Sequence, residues 1–460
     1  MGERKKILTY TFIYAGAILI FIAWLFAFLK NNDKTHYHFD SESLGITVIG
    51  LIAFLVLVFV EDSFYFGVIL TFAPFAFARS FDAVSAPPTL FLLAVIAILG
   101  IAIHFIIYPP QIKKGTYFYS LLVFCIGMCL GGLIKSDYFW SSFGYSVGLS
   151  LLIVFVYMFI VTYLEKHDFS ELAHIMVALS IMLIIQTFAY QLIMHRGELF
   201  SVKDAEYGWG GTNNLALMLL LCLPFLIYFT INSKTFMAPI ATALVAFASS
   251  TIILNYSRGA MFVMAFMLPI CLIYALIKSK TKVHFLLYYM IMFFILLIAF
   301  LIICSKHESI LGYIKENVFH IDILNLNGRR DLYVAILEAS KSHIWFGQGL
   351  LSPLDSSTVL PNWYGDEYFW GHNSFIHALY ISGIFGVICL GYHLYTKYLY
   401  LIQKPNEKKM TVLLGLLASG LYGLMDISYY YIIYMVVMIV LMGLVECEII
   451  CLDEDMTYEI

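Results

Sequence analysis

The residues best equipped for chemistry in this chain are a few arginines and one histidine. Arg258, Arg329 and Arg330 carry planar, permanently charged guanidinium groups, which bind phosphate oxygens in pairs where a lysine acts only as a point charge. His372, followed by Asn373, offers an imidazole; histidine titrates near neutral pH and can take a proton from an attacking hydroxyl. Together these groups suit an anionic, phosphate-bearing ligand held by the guanidinium groups and a sugar hydroxyl that gives its proton to the histidine. Each residue also has a plainer reading. An arginine can pair with a nearby acid such as Asp204, Glu206 or Asp331, or snorkel to lipid headgroups. Asn373 can simply cap a helix, with an incidental histidine before it.

Two further segments could supply ligand contacts. Tyr207-Gly-Trp-Gly-Gly-Thr-Asn-Asn214 is a glycine-rich turn feeding an apolar stretch, where the backbone can approach a ligand and a helix start offers free N–H groups. Asn213 and Asn214 are equally candidates for the helix cap. Asn255-Tyr256-Ser257-Arg258 joins two apolar stretches so tightly that Arg258 must lie near a membrane boundary, where an ionisable group is a functional candidate by default.

The elements that would position these groups are membrane helices. With 62% hydrophobic and 12% charged residues and a mean hydropathy of +0.88, the composition excludes a water-soluble surface. A crossing needs roughly 20 apolar residues, and open sheet edges are excluded in hydrocarbon because their backbone groups would go unpaired. Candidate spans are 7–29, 44–60, 64–79, 89–108, 116–134, 143–163, 170–194, 213–231, 236–254, 259–278, 283–304 and 373–397. Residues 411–446 hold Asp426 midway and are expected to form a hairpin of two short helices. The expectation is an all-α, polytopic helical bundle of about 12–14 transmembrane helices. It divides into an N-terminal bundle (1–194), helices with the glycine-rich and Ser-Arg turns (195–304), a long outward loop (305–371) and C-terminal helices with a short tail (372–460).

Lysine and arginine set the orientation, because short cytoplasmic loops carry an excess of them. With the first residue inside, Arg4, Lys5, Lys6, Lys113, Lys114, Lys166, Lys234, Lys278, Lys280, Lys282, Lys397, Lys404, Lys408 and Lys409 are cytoplasmic. Lys30, Lys34, Arg79, Lys135, Arg196, Lys203 and Arg258 lie outside, half as many, so both termini are expected in the cytoplasm. The six arginines break this bias: Arg79, Arg196, Arg258, Arg329 and Arg330 all fall on the outer side. That concentration suggests an anionic ligand at the outer surface of the membrane. No outer loop carries a cysteine pair, so no extracellular disulfide is implied, and no nucleic-acid partner is called for.

The 305–371 loop is too long for a plain connector. Ile310, Leu311, Ile314, Val318 and Ile321 recur at helical spacing and suit a helix lying in the interface. A second helix is expected after Asn327-Gly328, running through Tyr333, Ile336 and Leu337 to a stop at Trp345-Phe-Gly-Gln-Gly349. On it Arg329 and Arg330 point about 100° apart, so one reaches a ligand and the other pairs locally.

The order of Asn213-Asn214, Ser257-Arg258, Arg329-Arg330-Asp331 with Gly347-Gln-Gly349, and His372-Asn373 with Gly383 and Gly386 resembles the O-antigen polymerase and ligase superfamily over roughly residues 195–445. The resemblance implies an inverting, metal- and cofactor-independent glycosyltransferase in the bacterial cytoplasmic membrane. It would act on undecaprenyl-diphosphate-linked glycan as donor and a glycan acceptor, with a possible chain-length regulator as partner. It implies that Arg258 and Arg329 or Arg330 hold the diphosphate and that His372 activates the acceptor; Arg196, Asn213, Asn214, Tyr256, Ser257 and Asn373 would contact substrate. Family members often carry an arginine shortly before the Asn-containing turn; here that stretch begins at Glu206, and Arg196 lies farther back. Polymerase and ligase share this donor chemistry. Two other readings stand beside them: a metal-dependent glycosyltransferase using Asp40 and Glu42, which a chelator would inhibit, and a transporter of lipid-linked oligosaccharide with His104, His174 or His284 on a proton path.

Overall fold

The computed structural model describes residues 3–30, 39–77, 88–194, 206–208, 210–232, 237–278, 282–306, 312, 329–352, 371–403 and 405–457. These residues form an all-α polytopic membrane protein. In chain order the helices are α1 (Glu3–Lys30), α2 (Phe39–Phe59), α3 (Ser63–Phe72), α4 (Pro88–Ile107), α5 (Phe118–Cys129), α6 (Phe139–Tyr163), α7 (Phe169–Met194), α8 (Thr212–Asn232), α9 (Ala238–Leu254), α10 (Arg258–Lys278), α11 (Lys282–Lys306), α12 (Arg329–Ser340), α13 (Ser374–Ile402), α14 (Glu407–Tyr422) and α15 (Ile432–Thr457). Six of them, α1, α6, α7, α8, α10 and α13, are long and apolar enough to cross a membrane. Between α7 and α8, the two-residue strands β1 (Glu206–Tyr207) and β2 (Gly210–Gly211) pair antiparallel.

The chain divides into two compact units. The first comprises Met1–Lys114, Phe159–Tyr313 and Val436–Ile460. Its centre is α8, which is buried almost all round, as a helix apolar on every face must be, and packs against α7 and α9. The connection before α7 is fastened by charge. His167 Nε2 lies 2.6 Å from Asp62 Oδ2 and its Nδ1 2.7 Å from Glu171 Oε2, and the ring stacks on Phe64 at 4.0 Å. Asp62 also caps α3 through Phe64 N (3.1 Å), while Lys5 pairs with Glu165 and Lys6 with Asp168. Burial alone would discharge His167, but the hydrogen bonds and negative charges of Asp62 and Glu171 outweigh it and raise the imidazole to about 9.

The second unit comprises Gly115–Met158 and Ile314–Met435. Its main packing is α5 against α13, close enough that a Cβ on Gly127 would stand 2.7 Å from that of Cys389. Two helices here depart from the expected spans. The 116–134 stretch is helical only to Cys129, because the chain turns at Gly131-Gly132 (φ +79 at Gly132) and the Gly132 N–H donates to Phe346 O at 2.7 Å. Residues 373–402 are not one straight rod: α13 breaks at Gly383 (φ 66, ψ −165). The backbone groups freed by the break are taken up by the 344–349 segment. Gln348 N and Gly349 N donate to Tyr380 O (2.7 Å) and Ile381 O (2.9 Å), while Ile384 N and Phe385 N donate to Ile344 O (2.8 Å) and Trp345 O (3.2 Å). Side chains at Gly383 or Gly347, both at positive φ, would overlap Trp345 and Ser382 respectively. The expected hairpin over 411–446 is present as α14 and α15, but its second helix is long rather than short. The apolar repeat from Ile310 to Ile321 lies outside the described residues.

Two outcomes follow from these joints. A side chain at Gly383 meets both a backbone conformation that is essentially glycine-only, costing about 1–3 kcal/mol, and the Trp345 overlap, so Gly383→Ala lowers the melting temperature and the yield of monodisperse protein, read by fluorescence-detected gel filtration. His167 is raised above its unfolded value of 6.5, so its stabilisation is fully present below that pH and is lost as pH climbs through about 9. Wild-type protein in detergent therefore melts above His167→Gln at pH 6.5, and the gap closes beyond pH 9.

Candidate functional site

In the second unit the sequence folds three short pieces around His372. The first is the start of α13. Asn373 has extended backbone (φ −163, ψ 121), and its Oδ1 accepts from Phe375 N (2.9 Å) and Ile376 N (3.1 Å), the N-cap arrangement that asparagine favours. Its Nδ2 donates to Leu424 O at 2.8 Å. Asn373 therefore has both ends of its amide committed to the protein. Just before it, His372 holds φ +42, a left-handed conformation that costs a non-glycine residue about 1–3 kcal/mol and persists only where the surroundings over-determine it.

The second piece is the turn between α14 and α15. Ser374 N donates to Gly423 O (2.8 Å) and Ser374 Oγ to Asp426 O (3.0 Å), so the turn is sewn to the α13 start. Asp426 is buried, 6% exposed; its Oδ2 accepts from the Tyr422 hydroxyl (3.2 Å) and its Oδ1 from Ile427 N (2.9 Å). The same Oδ1 lies 3.4 Å from His372 Nδ1. Burial by itself would push the Asp426 carboxyl up; the His372 imidazole, the Ile427 N–H and the Arg329 charge outweigh it and hold the carboxyl below its usual value. An ionised Asp426 on the Nδ1 side favours a proton on that nitrogen and leaves Nε2 as the one turned away from the carboxylate. The His372 side chain is 23% exposed, so solvent reaches it.

The third piece is α12. Its first residue, Arg329, is half-buried and donates to Met425 O in the same turn; its guanidinium also lies against the Tyr333 hydroxyl. Tyr333 OH donates to His372 O at 2.9 Å. Arg330 is exposed. The structure thus brings Arg329, His372, Asn373 and Asp426 together and leaves Arg330 off that face, as two adjacent helical residues about 100° apart require. The end of α12 is fixed by His343, whose Nδ1 receives Gln348 Nε2 (2.8 Å) and whose Nε2 faces Lys135 O (3.1 Å).

The other sequence candidates lie in the first unit. Arg258 is the first residue of α10 and is half-buried; Tyr256 (φ 51) and Ser257 are each 2% exposed. Asn213 and Asn214 are half-buried inside the first turn of α8, which begins at Thr212, so neither occupies the cap position expected of them. The glycine turn before them answers to protein: Gly208 (φ +62) donates to Phe77 O at 3.0 Å, and a Cβ there would collide with Phe75. Arg196 lies outside the described residues, as do the side chains of Asp40 and Glu42. Among the described residues no group of three His, Cys, Asp or Glu is placed to hold a metal ion.

Residues 243–391 match the O-antigen ligase family model. That region is similar to O-antigen ligases, in line with the resemblance to the O-antigen polymerase and ligase superfamily. The matched stretch includes Arg258, Arg329, Arg330, His372, Asn373 and Gly383 at the break in α13, while Asn213-Asn214 and Asp426 fall outside it. No curated protein matches the chain. The match points to ligase- or polymerase-like function, the work of a membrane glycosyltransferase. The sequence marks Asp426 only as the middle of the expected hairpin and Tyr333 only as part of a helix. Tyr333 had a legible signal, since it follows Arg329 by four residues and must share its face.

Asp426→Asn removes the charge facing the ring and is expected to lower activity about tenfold or more, and in a His372→Ala background it is expected to add little to the loss. Initial rates in membranes carrying each variant at matched levels check this.

Proposed function

We propose that this chain polymerises undecaprenyl-diphosphate-linked oligosaccharide repeat units into a surface polysaccharide at the outer face of the bacterial cytoplasmic membrane, by metal-independent inverting transfer. The observation that carries the proposal is the His372 and Asp426 pair beside the Arg329 guanidinium. In the reaction, an acceptor sugar hydroxyl attacks the anomeric carbon of the donor from the side opposite the diphosphate. His372 Nε2 takes the hydroxyl proton as the new carbon–oxygen bond forms. The bond to the diphosphate breaks with its electron pair, and the charge that builds on the leaving oxygen meets Arg329. A guanidinium carries five N–H donors, so the bond to Met425 O leaves others to serve an anion. A fixed positive group in a partly dry site stabilises such charge without reorganising, which is usually the largest single contribution to catalysis.

Arg258, at the start of α10, is assigned to the diphosphate by resemblance alone. Arg330, exposed and off the His372 face, is a secondary contact. The ligase description of the matching family favours one second reading, transfer of finished glycan to a different acceptor.

Complementation of a polymerase-null host separates these readings. His372→Ala is expected to cut chain extension by about 100- to 10,000-fold, the usual contribution of a positioned base, and Arg329→Ala to be comparably severe, with single repeats accumulating on the carrier lipid. Arg330→Ala is expected to retain most of the activity. Long lipid-linked chains that accumulate unattached would instead identify a ligase, and normal polymer from His372→Ala at matched membrane levels would remove the base from the site.

A further inference from the structure

Tyr333 and Arg329 stand one turn apart on α12; Tyr333 reaches the His372 peptide, and Arg329 reaches the α14–α15 turn that Ser374 ties to the start of α13. The tyrosine hydroxyl donates to the His372 carbonyl oxygen at 2.9 Å, and the Arg329 guanidinium lies against that same hydroxyl. Burial raises the phenol, with Arg329 opposing, so at neutral pH Tyr333 remains a protonated donor. The carbonyl it grips belongs to the residue with φ +42, and the following residues are already tied: Asn373 to Leu424 O, and Ser374 to Gly423 O and Asp426 O. That carbonyl lies in the peptide joining His372 to Asn373, so Tyr333 holds the C-terminal side of the left-handed residue, whose conformation persists only where its surroundings over-determine it. Asn373 and Ser374 fix the chain that follows, and Tyr333 brings α12 onto the His372 peptide from outside the turn.

We propose that Tyr333 is a positioning residue, whose hydroxyl clamps the His372 peptide so that the imidazole keeps its angle to Asp426 and its spacing from Arg329. One side chain then sets the relation between the base and the cation, because the clamp and the cation project from one face of one helix. A displacement of the reacting groups of the order of 1 Å can cost about a hundredfold. The proposal rests on the reading of His372 as the base, and its test separates the two.

Tyr333→Phe removes one oxygen and keeps the ring. In membrane vesicles containing the host's own lipid-linked repeats, it is expected to lower the rate of chain extension about tenfold, the equivalent of one net hydrogen bond, with the donor dependence unchanged. In a His372→Ala background the same change adds nothing. A second measurement needs no substrate. Diethyl pyrocarbonate modifies neutral imidazoles, and peptide mass spectrometry reads His372 against His343, which is anchored through both nitrogens and serves as the internal control. Tyr333→Phe is expected to change the His372 rate severalfold and leave His343 alone. An unchanged His372 rate overturns the clamp, as does a Tyr333→Phe loss that is fully additive with His372→Ala. If His372→Ala itself keeps its activity, the base reading fails, and the modification rates alone decide the clamp.

Discussion

A helix that breaks inside hydrocarbon exposes backbone groups that lipid cannot satisfy, and each left unmade costs several kcal/mol. In the second unit the break is at Gly383, within an apolar helix long enough to cross a membrane, and the 344–349 segment answers it with four backbone hydrogen bonds in both directions. The segment is therefore a structural part of α13 rather than a cover laid over it. Its glycines follow from the same demand, since the two backbones approach where no Cβ fits. Anchoring the segment also anchors α12, which ends just before it. Helix α12 is then held along α13, near the break by the 344–349 bonds and near the start by Tyr333, while Arg329 ties it to the α14–α15 turn. Twelve residues span about 18 Å, and the nine of α13 ahead of Gly383 about 14 Å, so the two segments run side by side in the same direction. The arginine stands beside the turns that hold the histidine because a helix is broken about two and a half turns further on.

Much of this was legible in the residues, though unevenly. Long apolar runs located the helices, since crossing length and backbone satisfaction leave few alternatives. Arg329 and Arg330 were separable by helical angle alone, and the angle also says that only one faces His372. The short α5 and the break in α13 were not legible. Gly131-Gly132, Gly347, Gly349 and Gly383 are visible as glycines, but what each is for depends on a partner far away in sequence, and no period marks the pairing. Asp426 illustrates a different limit. A single acid in a hairpin suggests a buried polar role, yet only the folded turn places its Oδ1 3.4 Å from His372. The glycine-rich turn before α8 was read as open to a ligand or as a cap, and Gly208 instead fits against Phe75 and Phe77.

Two histidines in this chain face carboxylates, and the difference between them separates a fastener from a reagent. His167 lies between Asp62 and Glu171, each nitrogen within 2.7 Å of an oxygen, and its side chain is 6% exposed. With both nitrogens donating, the favoured state is the cation, and a cation held from both sides has no lone pair to offer. Its value is mechanical, joining α3 to α7. His372 meets one carboxylate, on Nδ1, at the longer distance of 3.4 Å, and nearly a quarter of its side chain reaches solvent. A single carboxylate orients the ring and supports a positive charge once a proton arrives, without fixing that charge beforehand. The same pair of residue types thus yields a permanent ion pair in one unit and a candidate base in the other. What decides between them is how many of the ring nitrogens the fold engages with acid, and that count is a property of packing, invisible in the spacing of either histidine along the chain.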